Sequence, residues 1–451
     1  MIKSIYSYIE AGSFSCDCGK THGSSLKELI VEKGALRQIP DLVRKYGGHK
    51  VFVLSDVNTH AAAGEAVCAL LTEAGIPYSG YVFPQEHLEP DEYAVGAAVM
   101  HFDTSCDLIL GVGSGVINDI GKILANVTGK TYMIVATAPS MDGYASATSS
   151  MARSGLKVSL NSCCPAVIIG DLDVLCAAPV RMFQSGLGDM VAKYVSICEW
   201  RIANLLIGEE FCPTIAQMVR EAVHKCVTNA EALMRRESEA VAAVMEGLVI
   251  TGIAMSYAGV SRPASGMEHY FSHIWDMRGL AFGTTVDTHG IQCGIGTLMG
   301  IRTYEQIRQL TPDKEKALAF VEAFDAESWN DTLRQFLGSG ADAMIQNERK
   351  EGKYDKVKHA ARLDLIIEKW EEILQIIHDE IPSYNFVESA LLAVGAPTTP
   401  AQIGISREET LGAFLTAKDI RDKYVGTRLL WDLGELEDVA NRLPGIASDP
   451  S

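Results

Sequence analysis

At 451 residues the chain has length for two or three domains with full hydrophobic cores. Its 47% hydrophobic and 21% charged content is ordinary for a globular protein, and a formal net charge of −18 argues against nucleic acid and anionic membrane surfaces as partners. An acidic chain that binds a phosphorylated ligand must use local donors, helix N-termini or a metal.

The opening Met1-Ile-Lys-Ser-Ile-Tyr lacks a long apolar core and a small-residue cleavage site, so no signal peptide is expected. No apolar run reads as long enough to span a membrane, and no membrane insertion is expected. Eleven cysteines, an odd number scattered along the chain, suit reduced thiols in a cytoplasm. The tightest cluster is Cys16-Asp-Cys18-Gly-Lys-Thr-His22. It offers three local ligands without the usual two-residue gap between cysteines, and reads as a turn with reduced thiols rather than a metal site.

Residues 25–46 read as mainly helical, with apolar residues at Leu26, Leu29, Ile30, Leu36, Ile39 and Leu42. Lys50-Val-Phe-Val-Leu-Ser-Asp56 is a continuous apolar run, the pattern of a parallel strand buried on both faces. A helix over 61–74, a strand over 78–83, a helix over 90–101 and a strand over 108–111 follow. A helix over 116–126 leads to a strand over 132–137, and residues 166–175 read as the last strand. Strands alternating with helices imply βαβ units and a parallel sheet. From about residue 181 the patterns turn helical, over 188–206, 215–236 and 239–256, then 313–326, 363–378 and 411–424. Residues 338–352 read as a polar, mobile-looking stretch. The expected fold is an α/β nucleotide-binding domain over 1–178 and an all-α domain over 179–451, with the active site in the cleft between them.

Three stretches carry chemistry. Gly111-Val-Gly113-Ser-Gly115-Val116-Ile117-Asn118-Asp119 sits where a strand hands over to a helix. Glycines let backbone N–H groups and a helix dipole approach a pyrophosphate, although a tight turn without ligand uses the same residues. The GxGxG spacing late in the domain differs from the usual dinucleotide fingerprint, and the candidate ribose acid, Asp56, lies upstream. Val57-Asn58-Thr59 after it offers no cation for a 2′-phosphate, which favours NAD(H), with NADP(H) the alternative. Thr137-Ala138-Pro139-Ser140-Met-Asp142-Gly-Tyr-Ala-Ser146 then follows a strand end and could wrap a ribose and nicotinamide, with Asp142 towards the cleft. A serine-rich capping turn is the plain alternative.

The third stretch is Ser261-Arg-Pro-Ala-Ser-Gly-Met-Glu-His269-Tyr-Phe-Ser-His273, followed by Thr288-His289-Gly290. His269 and His273, four residues apart, share a helix face, and His289 opens the next helix. Upstream, Ser185-Gly-Leu-Gly-Asp189 places a carboxylate near the start of another helix. Imidazoles plus a carboxylate suit one divalent metal, Zn²⁺ first and Ni²⁺ or Fe²⁺ also, with a coordination position left for substrate. Core histidines and a capping aspartate are the bland reading of each residue singly; together the four favour a site.

These stretches resemble the dehydroquinate synthase-like, iron-containing alcohol dehydrogenase superfamily, and within it the sn-glycerol-1-phosphate dehydrogenases. Ser140-Met-Asp-Gly-Tyr144, Gly188-Asp189 and Glu268-His269 with Ser272-His273 are the most specific pieces, and the resemblance covers residues 25–300 well. Leu391-Leu-Ala-Val-Gly-Ala-Pro397 and Ala417-Lys-Asp-Ile-Arg-Asp-Lys-Tyr424 extend it towards the C-terminus. The resemblance implies reduction of dihydroxyacetone phosphate by NAD(P)H with a metal, giving sn-glycerol 1-phosphate. It places Asp56 on the adenine-side ribose, Gly115, Val116, Ile117, Asn118 and Asp119 at the pyrophosphate, and Thr137, Ala138, Pro139, Ser140 and Ser146 along the nicotinamide half. It makes Asp189, His269 and His289 the metal ligands. His273 and Asp142 become the catalytic and substrate contacts, with Asp189 beside the substrate.

Departures sharpen the choice. Iron-type alcohol dehydrogenases carry a histidine ligand one turn after the aspartate, where this chain has Lys193; dehydroquinate synthases have Glu in place of Asp189. Arg262 with the start of its helix is the expected phosphate site, and Lys157 and Lys193 are its rivals. A polyol dehydrogenase and a non-catalytic nucleotide-binding regulator are the competing functions. A homo-oligomer is expected, with no macromolecular partner.

Overall fold

The computed structural model describes residues 5–153, 156–443 and 445–446. Six strands form one parallel sheet: β3 (Glu28–Glu32), β4 (Val51–Asp56), β5 (Tyr78–Phe83), β6 (Leu108–Gly113), β7 (Thr131–Ala136) and β10 (Val167–Asp171), in the order β3-β10-β7-β6-β4-β5. Two short antiparallel hairpins complete the strands, β1 (Ser13–Ser15) with β2 (Thr21–Gly23) and β8 (Thr148–Arg153) with β9 (Leu156–Asn161). Val51 stands opposite both Tyr78 and Leu108, Leu108 opposite Thr131, and Met133 opposite Val167.

Alternation along each strand sends residues to opposite faces. Val51, Val53, Leu108, Leu110, Val112, Met133, Val135, Val167 and Ile169 line one face and pack on Leu36, Ile39, Val43, Val67 and Leu71 of flanking helices. Phe52, Leu54, Ile109, Ile134 and Ile168 on the other face are equally inaccessible. Burial on both faces explains why these strands read as unbroken apolar runs.

The strand order reverses its direction of travel at β4. The chain goes from β4 to β5 on one side, then returns to β6 on the other and continues outward to β7 and β10. Ligands of open α/β sheets gather outside the carboxyl ends of the strands at such a reversal. Here that place is framed by Asp56, which ends β4, and by Gly115, which opens the helix Gly115–Thr128 after β6.

The chain divides into two compact units, Met1–Met190 with Thr214–Ser261, and Val191–Pro213 with Arg262–Ser451. The sheet and both hairpins lie in the first, together with the helices Pro213–Thr228 and Ser238–Ala258, apart from the opening Pro213. Among the described residues, every element of the second unit is helical.

Several local expectations change. Residues 25–46 are not one helical stretch: Glu28-Leu-Ile-Val-Glu32 is the edge strand β3, paired with β10, and helix begins only at Ala35. Only Val167–Asp171 of the last expected strand is extended; Asp171 then caps the helix Leu172–Ala177 by accepting from Asp173 N. The polar stretch over 338–352 contains the helix Ala341–Glu351, anchored by buried Met344 and Ile345. One helix, Ser238–Ala258, is after all long and apolar enough to cross a membrane, but 72% of its apolar window is buried inside the protein. A core helix meets that measure: Gly252 lies so close to the 142–145 turn that a Cβ there would stand 2.8 Å from the Asp142 carbonyl oxygen. None of the eleven cysteines is disulfide-bonded.

Candidate active site

In the first unit the nucleotide-side residues gather at the strand ends. Gly111 and Gly113 serve packing: a Cβ on Gly111 would meet the Tyr132 hydroxyl at 2.5 Å, and one on Gly113 would meet Ile117 Cβ at 2.6 Å. Gly115 is the glycine that opens the helix, and no side chain caps that N-terminus. The Ser114 hydroxyl turns instead to Ser140 Oγ. First-turn N–H groups without a side-chain cap, at the positive end of a fourteen-residue helix, suit a pyrophosphate. Val116 and Ile117 continue this first turn.

Asp56 accepts from Asn58 N and Thr59 N at 2.9 and 2.8 Å, both on Oδ1, while Thr59 Oγ1 accepts from Asp56 N. This capping box fixes the carboxylate at the end of β4 and keeps Oδ2 outside the cap. Asn118 is fully buried and donates to Gly143 O at 3.1 Å. Asp119 pairs with Lys122 at 3.0 Å; burial nonetheless pushes its carboxyl upward, against the lysine's opposing pull. Lys122 also donates to Gly143 O, Ser146 Oγ and Thr148 O. Asp119 and Ser146 are thus engaged with a buried lysine that pins the 142–148 turn.

The loop after β7 is held from below. Thr137 N donates to Gly113 O at 3.1 Å, Tyr144 OH to Ala138 O at 2.7 Å, and Ser185 Oγ to Ser140 O at 2.8 Å. Gly186 is required where the helix Val180–Val191 meets this loop, since a Cβ there would lie 1.9 Å from Pro139 O. Gly186→Ala is therefore expected to destabilise the fold by about 2–3 kcal/mol, the cost of forced overpacking, read as a lowered denaturation midpoint. Asp189 lies near the end of that helix, not the start of one, because a break at Ala192 separates it from the helix Lys193–Ile207. Asp189 is fully buried, and Asp142 N donates to its Oδ2 at 2.9 Å. The two acids singled out in the sequence are thus joined through a backbone N–H.

In the second unit the helices Met267–Phe282 and His289–Ile307 pack side by side, approaching so closely that a Cβ on Gly296 would lie 2.6 Å from Glu268 O. The approach sets the His269 and His289 rings 5.0 Å apart and the His273 and His289 rings 5.8 Å apart. His269 Nδ1 is 2.9 Å from Glu268 Oε1, and His289 Nδ1 is 3.0 Å from Ser272 Oγ. Gln292 donates to the same Ser272 oxygen and to Asp276. The Glu268 carboxylate on Nδ1 of His269 fixes the tautomer that presents Nε2 as a lone-pair donor, and Ser272 orients the His289 ring, the usual preparation of metal-binding histidines. The residues present therefore fit a divalent cation.

Cys293, Asp276, Glu199 and Glu268 carried no role in the sequence reading. Cys293, one turn beyond His289, brings its sulfur within 4.8 Å of donor atoms of His269 and His289. Asp276 does the same with His273 and His289. Glu199 anchors the start of the histidine helix, accepting from Met267 N at 2.9 Å, Gly426 N at 2.7 Å and Tyr304 OH at 3.1 Å. Burial, and then the neighbouring Glu268 charge, raise its carboxyl well above the ordinary range. A carboxylate in the first turn beside an expected histidine ligand was the available signal for Glu268; Glu199, sixty-eight residues upstream of Met267, left none.

Arg262 does not form the expected phosphate site. Its guanidinium is fully buried, bonded to both carboxylate oxygens of Glu209 at 2.5–2.9 Å, and donates to Tyr424 O. A positive charge neutralised in this way is a structural tie and leaves no donor fork for an anion. Lys193, in the first turn of its helix, is fully buried, and Lys157 is half-buried on β9.

A parallel sheet with a glycine-opened helix at its switch point, followed by a helical unit carrying paired histidines, is the architecture that the following likenesses share. Residues 30–179 match the family model described as iron-containing alcohol dehydrogenase. The crystal structure of glycerol dehydrogenase from Schizosaccharomyces pombe has the same fold, with a TM-score of 0.58 at 16% identity over 93% of this chain and 91% of that one. The glycerol-1-phosphate dehydrogenase (NAD(P)+) of Halalkalibacterium halodurans is 32% identical over 424 residues, 93% of this chain and 95% of that protein. The enzyme of the same name from Bacillus licheniformis is 25% identical over 98% of both chains. The chain belongs to the glycerol-1-phosphate dehydrogenase family.

Proposed function

We propose that the protein reduces dihydroxyacetone phosphate to sn-glycerol 1-phosphate, reversibly, with NAD(P)H and one divalent metal. The observation that carries this reading is 32% identity to a glycerol-1-phosphate dehydrogenase across nearly the whole of both chains. The prepared histidine pair supports the metal requirement.

Asp189, His269 and His289 would hold the cation, with Zn²⁺ the first choice and Ni²⁺ or Fe²⁺ accepting the same donors. When bound, the cation supplies Lewis-acid polarisation of a substrate oxygen and the dinucleotide supplies the hydride. Glu268 and Ser272 orient the two imidazoles, and the Asp142 N–H orients the Asp189 carboxylate. His273, one turn past His269, holds the proton for the oxygen that becomes the new hydroxyl, a role suited to an imidazole near neutral pH. Asp142 contacts the substrate.

On the cofactor side, Asp56 takes the adenine-side ribose and the helix start at Gly115–Val116–Ile117 the pyrophosphate. Asn118, Asp119 and Ser146 shape that turn through Gly143 and Lys122, while Thr137, Ala138, Pro139 and Ser140 line the nicotinamide half. The carboxylate on Asp56, with no cation next to it in sequence, favours NAD(H) over NADP(H). The expected division put nucleotide binding over 1–178 and metal and substrate binding over 179–451; the compact units divide the chain differently, with Thr214–Ser261 packed in the first. A cytoplasmic location fits eleven unbridged thiols, and the product is a precursor suited to phospholipid synthesis.

With Arg262 committed to Glu209, we assign the substrate phosphate to Lys193, four residues beyond Asp189 in the sequence and across the break at Ala192. Lys193→Ala is expected to raise KM for dihydroxyacetone phosphate about 10- to 100-fold, the loss of one charged hydrogen bond, with KM for NADH unchanged. An unchanged substrate KM would remove Lys193 from the phosphate site. The reaction itself is tested by its stereochemistry: product from dihydroxyacetone phosphate should be refused by an sn-glycerol-3-phosphate dehydrogenase. Quantitative oxidation by that enzyme would overturn the proposal.

A further inference from the structure

The cysteine-histidine stretch that the dehydrogenase reading leaves unused has a metal-site geometry of its own. The β1–β2 hairpin brings Cys16, Cys18 and His22 together so that two sulfurs and a ring nitrogen lie within 4.8 Å of one another. Cys16 follows the end of β1 and Cys18 lies in the hairpin turn, so the turn itself lets a single-residue gap bring the two sulfurs together. The turn is closed by Gly19 N donating to Cys16 O and Cys16 N to Lys20 O, both at 2.9 Å, and Gly19 adopts φ +85°, a conformation glycine tolerates.

His22 is prepared as a ligand. Its ring is 3% exposed, and its Nδ1 donates to the Tyr257 carbonyl at 2.8 Å, which leaves Nε2 to face Cys18 Sγ at 3.2 Å. A backbone carbonyl on one ring nitrogen and a sulfur opposite the other is the arrangement of a zinc-bound imidazole. Zn–S and Zn–N bonds of ordinary length in a tetrahedron place sulfur and nitrogen roughly 3.6 Å apart, close to what is found here without an ion. Chain connectivity indicates the fourth donor. Cys16 Sγ donates to Thr214 Oγ1 at 3.4 Å, and Cys212 precedes Thr214 by two residues, a span of at most about 7 Å.

We propose that Cys16, Cys18, His22 and Cys212 form a second, structural Zn²⁺ site, separate from the site of Asp189, His269 and His289. Four protein ligands close the coordination sphere, so this ion does no chemistry on a substrate. It fastens a hairpin of two three-residue strands, too short to hold itself, to the last turn of the helix Ser238–Ala258 and the first turn of the helix Pro213–Thr228. Phe14, His22 and Tyr257 pack ring to ring around it, at 5.3–6.1 Å.

The test is metal content of the full-length protein by mass spectrometry, with cobalt replacement as the spectroscopic arm. Cys16→Ser/Cys18→Ser should lose one equivalent of zinc per chain relative to wild type while NADH turnover persists. The cobalt-loaded wild type should show a thiolate-to-cobalt charge-transfer band that the double variant lacks. Cys212→Ser should weaken zinc retention against a chelator at least 10-fold, and an unchanged retention would exclude Cys212 as the fourth ligand. Full zinc content in the double variant, or a cobalt band that survives in it, would overturn the site. So would a wild type whose hairpin cysteines are alkylated as readily with zinc as without it. These readouts do not depend on which ketone the enzyme reduces.

Discussion

His273→Ala is expected to lose about 10²–10⁴ of kcat, the range for removing a general acid, while NADH binding and the bound metal are retained. The reason lies in its position. His273 shares the helix Met267–Phe282 with His269, its ring is 8% exposed, and its donor atoms lie within 4.8 Å of those of Asp276 and His289. A buried imidazole beside a carboxylate and a second imidazole can hold a proton without being a metal ligand. Steady-state kinetics with metal analysis of the same preparation separates the two roles. A fall in metal content parallel to activity would make His273 a ligand instead, and undiminished turnover would remove it from the mechanism.

The second large effect falls on Asp189. Asp189→Ala should lose metal and activity together, by at least about 10³ in kcat/KM, because one change removes a ligand and leaves the Asp142 N–H without its acceptor. Asp189→Asn separates these effects. The amide still accepts from Asp142 N but offers no charge to the cation, so it should restore thermal stability without restoring metal. A metal-replete, active Asp189→Ala would overturn the ligand assignment.

What the sequence disclosed follows from burial. The strands β4, β6 and β7 and the helices between them were legible because a parallel sheet covered on both faces writes itself as apolar runs four to six residues long. The edge strand β3 was missed because Glu28-Leu-Ile-Val-Glu32 sits inside a longer pattern that also fits a helix period. The β8–β9 hairpin was missed because Thr148-Ser-Ser carries no apolar run to announce it. Asp189 was expected at a helix start because Gly186 and Gly188 look like breakers, whereas at least Gly186 is there for the close passage of Pro139.

The site was legible where its chemistry is local. Glu268-His269 and Ser272-His273 lie on one helix, and their spacing carries the geometry. Long-range pairs were invisible: nothing near Arg262 in sequence shows that Glu209, fifty-three residues earlier, has claimed its charge, and the anion site expected there does not exist. The same limit applied to the N-terminal hairpin, where only the fold shows that the carbonyl of Tyr257, 235 residues on, receives the His22 N–H.

The most direct test of the dehydrogenase account is NADH oxidation by the purified protein, before and after chelation, with dihydroxyacetone phosphate beside dihydroxyacetone. The account predicts metal-dependent oxidation with the phosphorylated ketone alone, abolished by chelation and restored by adding back a divalent cation. Equal or faster oxidation with the unphosphorylated ketone, or activity that survives complete removal of metal, would contradict it.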